Sequence, residues 1–162
     1  MIVYYPIPLV SAPRQVKRDK WKPSPHVLRY RAFRDECALR RVRVPEAGAH
    51  VLFLLEVPRS ISKREREARL YQGHRQKPDN DNLQKALLDA VHRGGDDAGV
   101  WDLRTSKVWA PVPGFIVSDR PIDLAPDAIR QLIRPIVGST RIELVDELGR
   151  QVAAGERALE QE

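Results

Sequence analysis

The stretch A-H-V-L-F-L-L-E-V, residues 49–57, constrains the fold most tightly, because it is almost entirely apolar. A strand that exposes one face to water alternates apolar and polar side chains, whereas a strand covered on both faces is apolar nearly throughout. The stretch therefore predicts a central β-strand with packed layers on both sides of its sheet. We expect helices to supply those layers.

The rest of the chain predicts helices and strands around that strand. The clearest helix, over 81–92, has an apolar stripe at helical spacing and ends at Gly94-Gly95. Further helices are predicted over 26–42, 60–71 and 127–136, and further strands over 2–10, 100–110, 115–117 and 140–145. Prolines in the first strand indicate a sheet edge. The order predicts an α/β (α+β) fold, a single domain with a mixed β-sheet flanked by helices.

Composition narrows the class of protein. The 162 residues suit one domain with a substantial core, and no apolar run approaches the roughly 20 residues of a membrane helix. The first residues lack a basic region followed by a small-residue cleavage site, so no secretory signal is expected. The single cysteine, Cys37, excludes an internal disulfide. A cytoplasmic protein without membrane partners is the expectation.

The net charge of +6 is unevenly distributed along the chain. Basic residues crowd 14–22 and 59–77, whereas acids dominate after residue 139. The first half could therefore bind a polyanion such as DNA, or it could simply be a solvated surface. The candidate nucleic-acid contacts are Arg14, Lys17, Arg18, Lys20, Lys22, Lys63, Arg64, Arg75 and Lys77.

The segment K-P-D-N-D-N-L-Q-K, residues 77–85, places two acids directly before the clearest helix. If 79–81 is extended, Asp79 and Asp81 point the same way, and converging carboxylates suit Mg²⁺ or Mn²⁺. Lys85 lies four residues after Asp81 on the same helix face, where it could neutralise a carboxylate, contact a phosphate or stabilise developing charge. The alternative is an ordinary capped helix with incidental acids.

A third acid would strengthen a metal site. The candidates are Asp89, Asp96, Asp97 and Asp102, and Asp89 could instead pair with Lys85. His74 lies near the acids and is expected to be a solvated loop residue unless it contacts DNA. Trp21 could stack on an exposed base or pack on the sheet edge, whereas Trp101 and Trp109 are expected in the strand core.

The longer pattern K-P-D-N-D-N-L-Q-K-A-L-L-D-A-V, followed by A-G-V-W-D, resembles the signature of the RusA family of Holliday-junction resolvases. The resemblance covers roughly residues 5–108. It implies a nuclease domain over 1–119, followed by an extension of unknown role over 120–162 that is expected to pack on the same domain. It also implies a homodimeric, Mg²⁺-dependent (or Mn²⁺-dependent) endonuclease that cuts four-way DNA junctions by paired nicks. Such enzymes are common in phages and prophages and serve recombination, repair or phage DNA processing.

By this resemblance, Asp79 and Asp81 match metal-binding carboxylates, and Lys85 matches an essential lysine. Many family members place an acid pair after the tryptophan, followed by Ser-Gln-Val, but here Trp101 is followed by D-L-R-T-S-K-V. Asp102 is therefore the favoured third ligand and catalytic acid, and Asp97 is the alternative. Two other functions stay open: a non-catalytic nucleic-acid-binding protein that retains the fold, and a nucleotide-sugar enzyme that uses Asp-x-Asp.

Overall fold

The structure, a computed structural model, describes residues 1–13, 17–93 and 97–138. Within them lie four strands and four α-helices, in the chain order β1 (Ile2–Tyr5), α1 (Pro25–Leu39), β2 (Ala49–Glu56), α2 (Lys63–Arg69), α3 (Asn80–Val91), β3 (Leu103–Ala110), β4 (Gly114–Ser118) and α4 (Pro126–Gly138). The predicted strand over 140–145 lies outside the described residues.

The strands form one mixed sheet in the order β1-β4-β2-β3. β2 pairs with β3 in parallel and with β4 antiparallel, and β4 also pairs antiparallel with β1. The predicted mixed sheet of an α+β domain is therefore confirmed. The predicted central position of the apolar strand is confirmed as well, since β2 has a neighbour on each side and its residues 49–54 are all buried.

Two apolar layers cover the sheet, one on each face. On one face, α1 and α3 pack on β2 and β4 through residues such as Phe33, Leu87 and Phe53. On the other face, α4 places Ile129 and Ile133 against Leu52, Leu54 and their neighbours. Side chains alternate between the two faces along each strand, so odd-numbered residues of β2 contact the α1 and α3 layer and even-numbered residues contact the α4 layer.

Serine side chains cap the N-terminal ends of two of the helices. The Ser24 hydroxyl accepts a hydrogen bond from the Val27 N–H at 3.4 Å at the start of α1. The Ser62 hydroxyl accepts one from the Glu65 N–H at 3.2 Å at the start of α2. Each cap satisfies a backbone donor that the first helical turn leaves without a partner.

Two expectations about aromatic and histidine side chains prove wrong. Trp101 is 77% exposed, because β3 begins only at Leu103 and Trp101 precedes it, whereas Trp109 is buried as expected. His74 is buried and not solvated, since its ring packs on Trp109 with 4.0 Å between the ring centroids. The loop after α2 is therefore part of the packed structure at the β3 edge.

Candidate active site

Asp79 and Asp81 lie at the N-terminal end of α3. Asp79 is the N-cap residue, with extended backbone angles of φ −72° and ψ 149°, and its side chain makes no capping hydrogen bond. Asp81 lies in the first helical turn, and both residues are exposed. Within the described ranges, neither carboxylate forms an ion pair. Both therefore present free oxygens to solvent at the positive end of a helix dipole.

The backbone over 79–81 is not extended throughout, because α3 already begins at Asn80. Residues two apart in a helix do not share a face, so strand-like alternation is not what relates the two acids. They are neighbours because a capping residue and the first turn after it occupy the same helix end. The pair is therefore held by the start of α3.

Asn80 connects the start of α3 to the sheet by hydrogen bonds to Thr105. Its Nδ2 donates to the Thr105 hydroxyl at 2.7 Å and to the Thr105 carbonyl at 3.2 Å. The Thr105 hydroxyl in turn donates to Gln84 Oε1 at 3.2 Å. Thr105 is thus the β3 residue that meets the start of α3. The sequence does not predict this contact, because nothing in the K-P-D-N-D-N pattern indicates which strand residue lies opposite Asn80.

The loop ahead of Asp79 lies along the free edge of β3. Backbone hydrogen bonds join Tyr71 N to Trp109 O at 2.8 Å, Trp109 N to Gln72 O at 2.9 Å and His74 N to Lys107 O at 2.9 Å. These bonds continue the sheet by a short antiparallel segment, with an isolated bridge between residues 73 and 108. Burial, with the Lys107 charge as a second cause, lowers the pKa of His74, which favours a neutral ring there.

Lys85 is exposed one helical turn after Asp81. Asp89, which could have paired with it, instead accepts a hydrogen bond from the Tyr30 hydroxyl at 3.0 Å. Burial, reinforced by this hydrogen bond to a carboxylate, raises the pKa of Tyr30 to about 12. Asp89 therefore links α3 to α1, and in the described part of the chain no ion pair occupies the Lys85 ammonium.

Asp102 is hydrogen-bonded to the segment that precedes β2. Its Oδ2 accepts a hydrogen bond from the Gly48 N–H at 3.0 Å, and its backbone N–H bonds the Glu46 carbonyl at 3.3 Å. It precedes Thr105 by three residues, which in extended chain span about 10 Å. Among residues 1–13, 17–93 and 97–138, no three His, Cys, Asp or Glu side chains are grouped to hold a metal ion. The side chain of Asp97 lies outside the described part of the structure, as does Asp96.

The donor set of the pair nevertheless fits a hard divalent cation. Mg²⁺ keeps several waters in proteins and is commonly bound through one or two carboxylates together with substrate phosphates. Asp79 and Asp81 offer two uncommitted carboxylates at a solvent-facing helix end. Such a site does not require a third protein carboxylate.

Exposed basic residues lie in the segment before α1, on α2 and in the loop that leads into α3. The Ala12 N–H donates to the Asn82 carbonyl at 3.3 Å, so the segment just before residues 14–22, the basic loop, contacts the first turn of α3. Within the basic loop, the Asp19 carbonyl accepts a hydrogen bond from the Arg31 side chain of α1 at 3.0 Å. The candidate contacts with described side chains are exposed: Lys20, Lys22, Lys63, Arg64, Arg75 and Lys77. The side chains of Arg14, Lys17 and Arg18 lie outside the described part.

Trp21 projects from the same loop. It is 84% exposed, which excludes packing on the sheet edge, and the Lys20 ammonium lies 5.4 Å from its ring centroid. A large aromatic surface beside lysines is a suitable platform for stacking on a nucleic-acid base.

Comparison with known families places the chain in one of them. A family model described as Endodeoxyribonuclease RusA matches residues 7–118, which include all of α1 to β4. The chain belongs to the RusA family. The resemblance inferred from the Asp79 to Trp101 region is thereby confirmed, and endodeoxyribonuclease activity follows from membership. No curated protein and no solved structure matches the chain.

The match ends at the last residue of β4, so α4 lies beyond it. Helix α4 covers the sheet face opposite α1 and α3. In the portion of the chain that the structure describes, no helix combines the length and the apolar character needed to cross a bilayer.

Proposed function

We propose that this chain is a metal-dependent, structure-selective endonuclease that resolves four-way DNA junctions by paired symmetric nicks. The observation that carries the proposal is the start of α3. The carboxylates of Asp79 and Asp81 and the ammonium of Lys85 lie there without ion-pair partners among the described residues, and the segment just before the basic loop contacts the same helical turn. Family membership supports the nuclease class. A homodimer would present two such sites, and twofold symmetry suits a junction with near-twofold symmetry.

Asp79 and Asp81 would hold the cation, which is Mg²⁺ or alternatively Mn²⁺. A divalent cation bound there supplies Lewis acidity that offsets the negative charge of the scissile phosphate. Lys85, one turn away, would either stabilise the charge that develops on that phosphate or orient the attacking water. Asp102 and Asp97 remain the candidate third acids, and Asp102 would have to leave its hydrogen bond to the Gly48 N–H to serve.

The basic loop and the segment around Arg75 would bind the DNA backbone. Contacts to phosphates fix register and orientation without reading sequence, and they weaken steeply as salt rises. Recognition of a junction would then depend on the shape of the branched DNA across two protomers. Trp21 would supply stacking on a base exposed at the branch point.

The test is cleavage of a synthetic four-way junction, with a linear duplex of the same sequence as the control substrate. The proposal predicts Mg²⁺-dependent nicks at symmetry-related positions on opposing strands, and no cutting of the duplex. Asp81→Asn should lower the cleavage rate roughly 100-fold, the equivalent of about 3 kcal/mol, while junction binding persists. Metal-independent cutting or random duplex degradation would contradict it.

A second candidate, a junction-binding protein without catalysis, is favoured by one observation. The strand residue that meets the start of α3 is the neutral Thr105, and Asp102 is engaged elsewhere. Such a protein would bind the junction in a gel-shift assay yet leave every strand intact with Mg²⁺ or Mn²⁺. The Asp81→Asn variant would then behave as the wild type does.

A further inference from the structure

We propose that Lys107 is a positioning residue for Asp79: its ammonium ties the loop ahead of α3 to β3 and so fixes where that carboxylate lies. The Nζ atom donates to the Gln76 carbonyl at 2.6 Å and to the Pro78 carbonyl at 2.7 Å. This inference deepens the function proposed above and rests on it for its catalytic consequence.

The two Lys107 hydrogen bonds lie just beyond the loop residues whose backbone is hydrogen-bonded to the edge of β3. Between Tyr71 and His74 the loop is held by backbone hydrogen bonds to β3. Beyond His74, the Lys107 side chain continues this attachment through its hydrogen bonds to the Gln76 and Pro78 carbonyls. Hydrogen bonds from an ammonium to a carbonyl are stronger than neutral ones, so a single side chain can hold the segment.

The Pro78 carbonyl belongs to the peptide group that also contains the Asp79 nitrogen. A peptide group is planar and rigid, so anchoring that carbonyl oxygen restricts the orientation of the Asp79 backbone. Lys107 itself is firmly placed, since its Cα pairs with Phe53 in the parallel β2–β3 ladder. On the other side of Asp79, Asn80 is fixed to Thr105. Asp79 therefore lies between two attachments to the same strand.

A positioning role and a purely electrostatic role for Lys107 predict opposite changes in cation affinity when the lysine is replaced. A lysine near a metal site repels the cation, so if charge alone mattered, Lys107→Met would tighten binding. If Lys107 positions Asp79, the same substitution loosens the loop and weakens binding. Loss of a side chain that supports a metal ligand weakens metal affinity about tenfold or more.

The experiment titrates Mn²⁺ into the full-length protein without DNA, observed by electron paramagnetic resonance, for wild type, Lys107→Met and Lys107→Arg. Arg40→Met is the charge-matched control, because Arg40 pairs only with Glu36 at the far end of α1 among the described ion pairs. We expect a dissociation constant raised about tenfold in Lys107→Met, recovered to within about threefold in Lys107→Arg and unchanged in Arg40→Met. Tighter or unchanged binding in Lys107→Met overturns the proposal.

A second measurement distinguishes failure of this inference from failure of the proposed function. Trypsin can cut after the exposed Arg75, and the rate of that cut, followed by mass spectrometry, reports how firmly the loop is held. Lys107→Met should be cut there several times faster than wild type, whether or not the protein binds metal. A wild-type cutting rate in Lys107→Met would show that Lys107 does not hold the loop. Faster cutting in a protein that never binds Mn²⁺ would refute the proposed function alone.

Discussion

Acidification should destabilise the protein through His50, a buried histidine that joins the central strand to the segment leading into α4. His50 is 1% exposed. Its Nδ1 accepts a hydrogen bond from the Ile122 N–H at 2.9 Å, so the neutral ring carries its proton on Nε2, which lies 3.0 Å from the Ser106 hydroxyl. Protonation would place a second donor on Nδ1, facing the Ile122 N–H, and break that bond.

Burial, with Arg104 as a lesser cause, lowers the pKa of His50 from 6.5 to about 4. Because the folded state resists protonation, this histidine contributes full stability above pH 6.5, and the contribution is lost as pH falls toward 4. Over the full titration, His50 should lower the free energy of unfolding by about 3 kcal/mol, and roughly 2 kcal/mol of this should be lost between pH 7 and pH 4.5.

The assay is urea unfolding at pH 7 and at pH 4.5 for wild type and His50→Leu. The variant leaves the Ile122 N–H without its partner, which should cost about 1–3 kcal/mol at pH 7. It should then lose about 2 kcal/mol less than wild type on acidification, since the carboxylates that titrate in this range are common to both proteins. His26→Leu serves as the control for removal of a histidine elsewhere. Equal losses in wild type and His50→Leu would refute the reasoning.

Other contacts lead to three more expected outcomes. Gly114→Ala should lower the free energy of unfolding by at least about 2 kcal/mol. Gly114 has φ +140°, and a Cβ there would lie under 3.0 Å from the Tyr5 carbonyl oxygen. A thermal melt that matches wild type would contradict this. Asn80→Ala removes two hydrogen bonds to β3 and should cost about 1–3 kcal/mol in urea unfolding, with no change expected only if the start of α3 is held by other contacts. Replacing Lys20 and Lys22 together by Gln should reduce the salt dependence of junction binding by up to about 2 in the log–log slope, and an unchanged slope would show that neither lysine contacts phosphate.

Local signals predicted most of the secondary structure. The uninterrupted apolar run placed β2 in the middle of the sheet, and the stripe from Leu83 to Val91 predicted α3 to within a residue at each end. The prolines after Tyr5 correctly indicated that β1 lies at a sheet edge, but the predicted strand over 2–10 was too long. The strand ends at Tyr5, because Pro6 and Pro8 have no N–H to donate to a neighbouring strand.

The arrangement around the acids could not be predicted from the sequence, because it depends on contacts between distant segments. Strand order follows from how β2 and β4 pair, which no local pattern specifies. The β3 residue opposite Asn80 follows from the register between strand and helix, and this register brings Thr105 there and leaves Asp102 beside Gly48. Lys107 could not be singled out for the same reason: as a strand lysine it resembles any solvated residue until its loop partners are known.

Mn²⁺ binding to the Asp79→Asn/Asp81→Asn double variant, compared with wild type by electron paramagnetic resonance at neutral pH, tests most directly whether the start of α3 is a metal site. Because both substitutions keep the side-chain shape and remove only charge, the fold should persist, which a matching urea-unfolding curve would establish. We expect wild type to bind the ion and the double variant to lose at least about 100-fold in affinity. Equal binding by the two proteins would show that the acids at the start of α3 do not hold the metal.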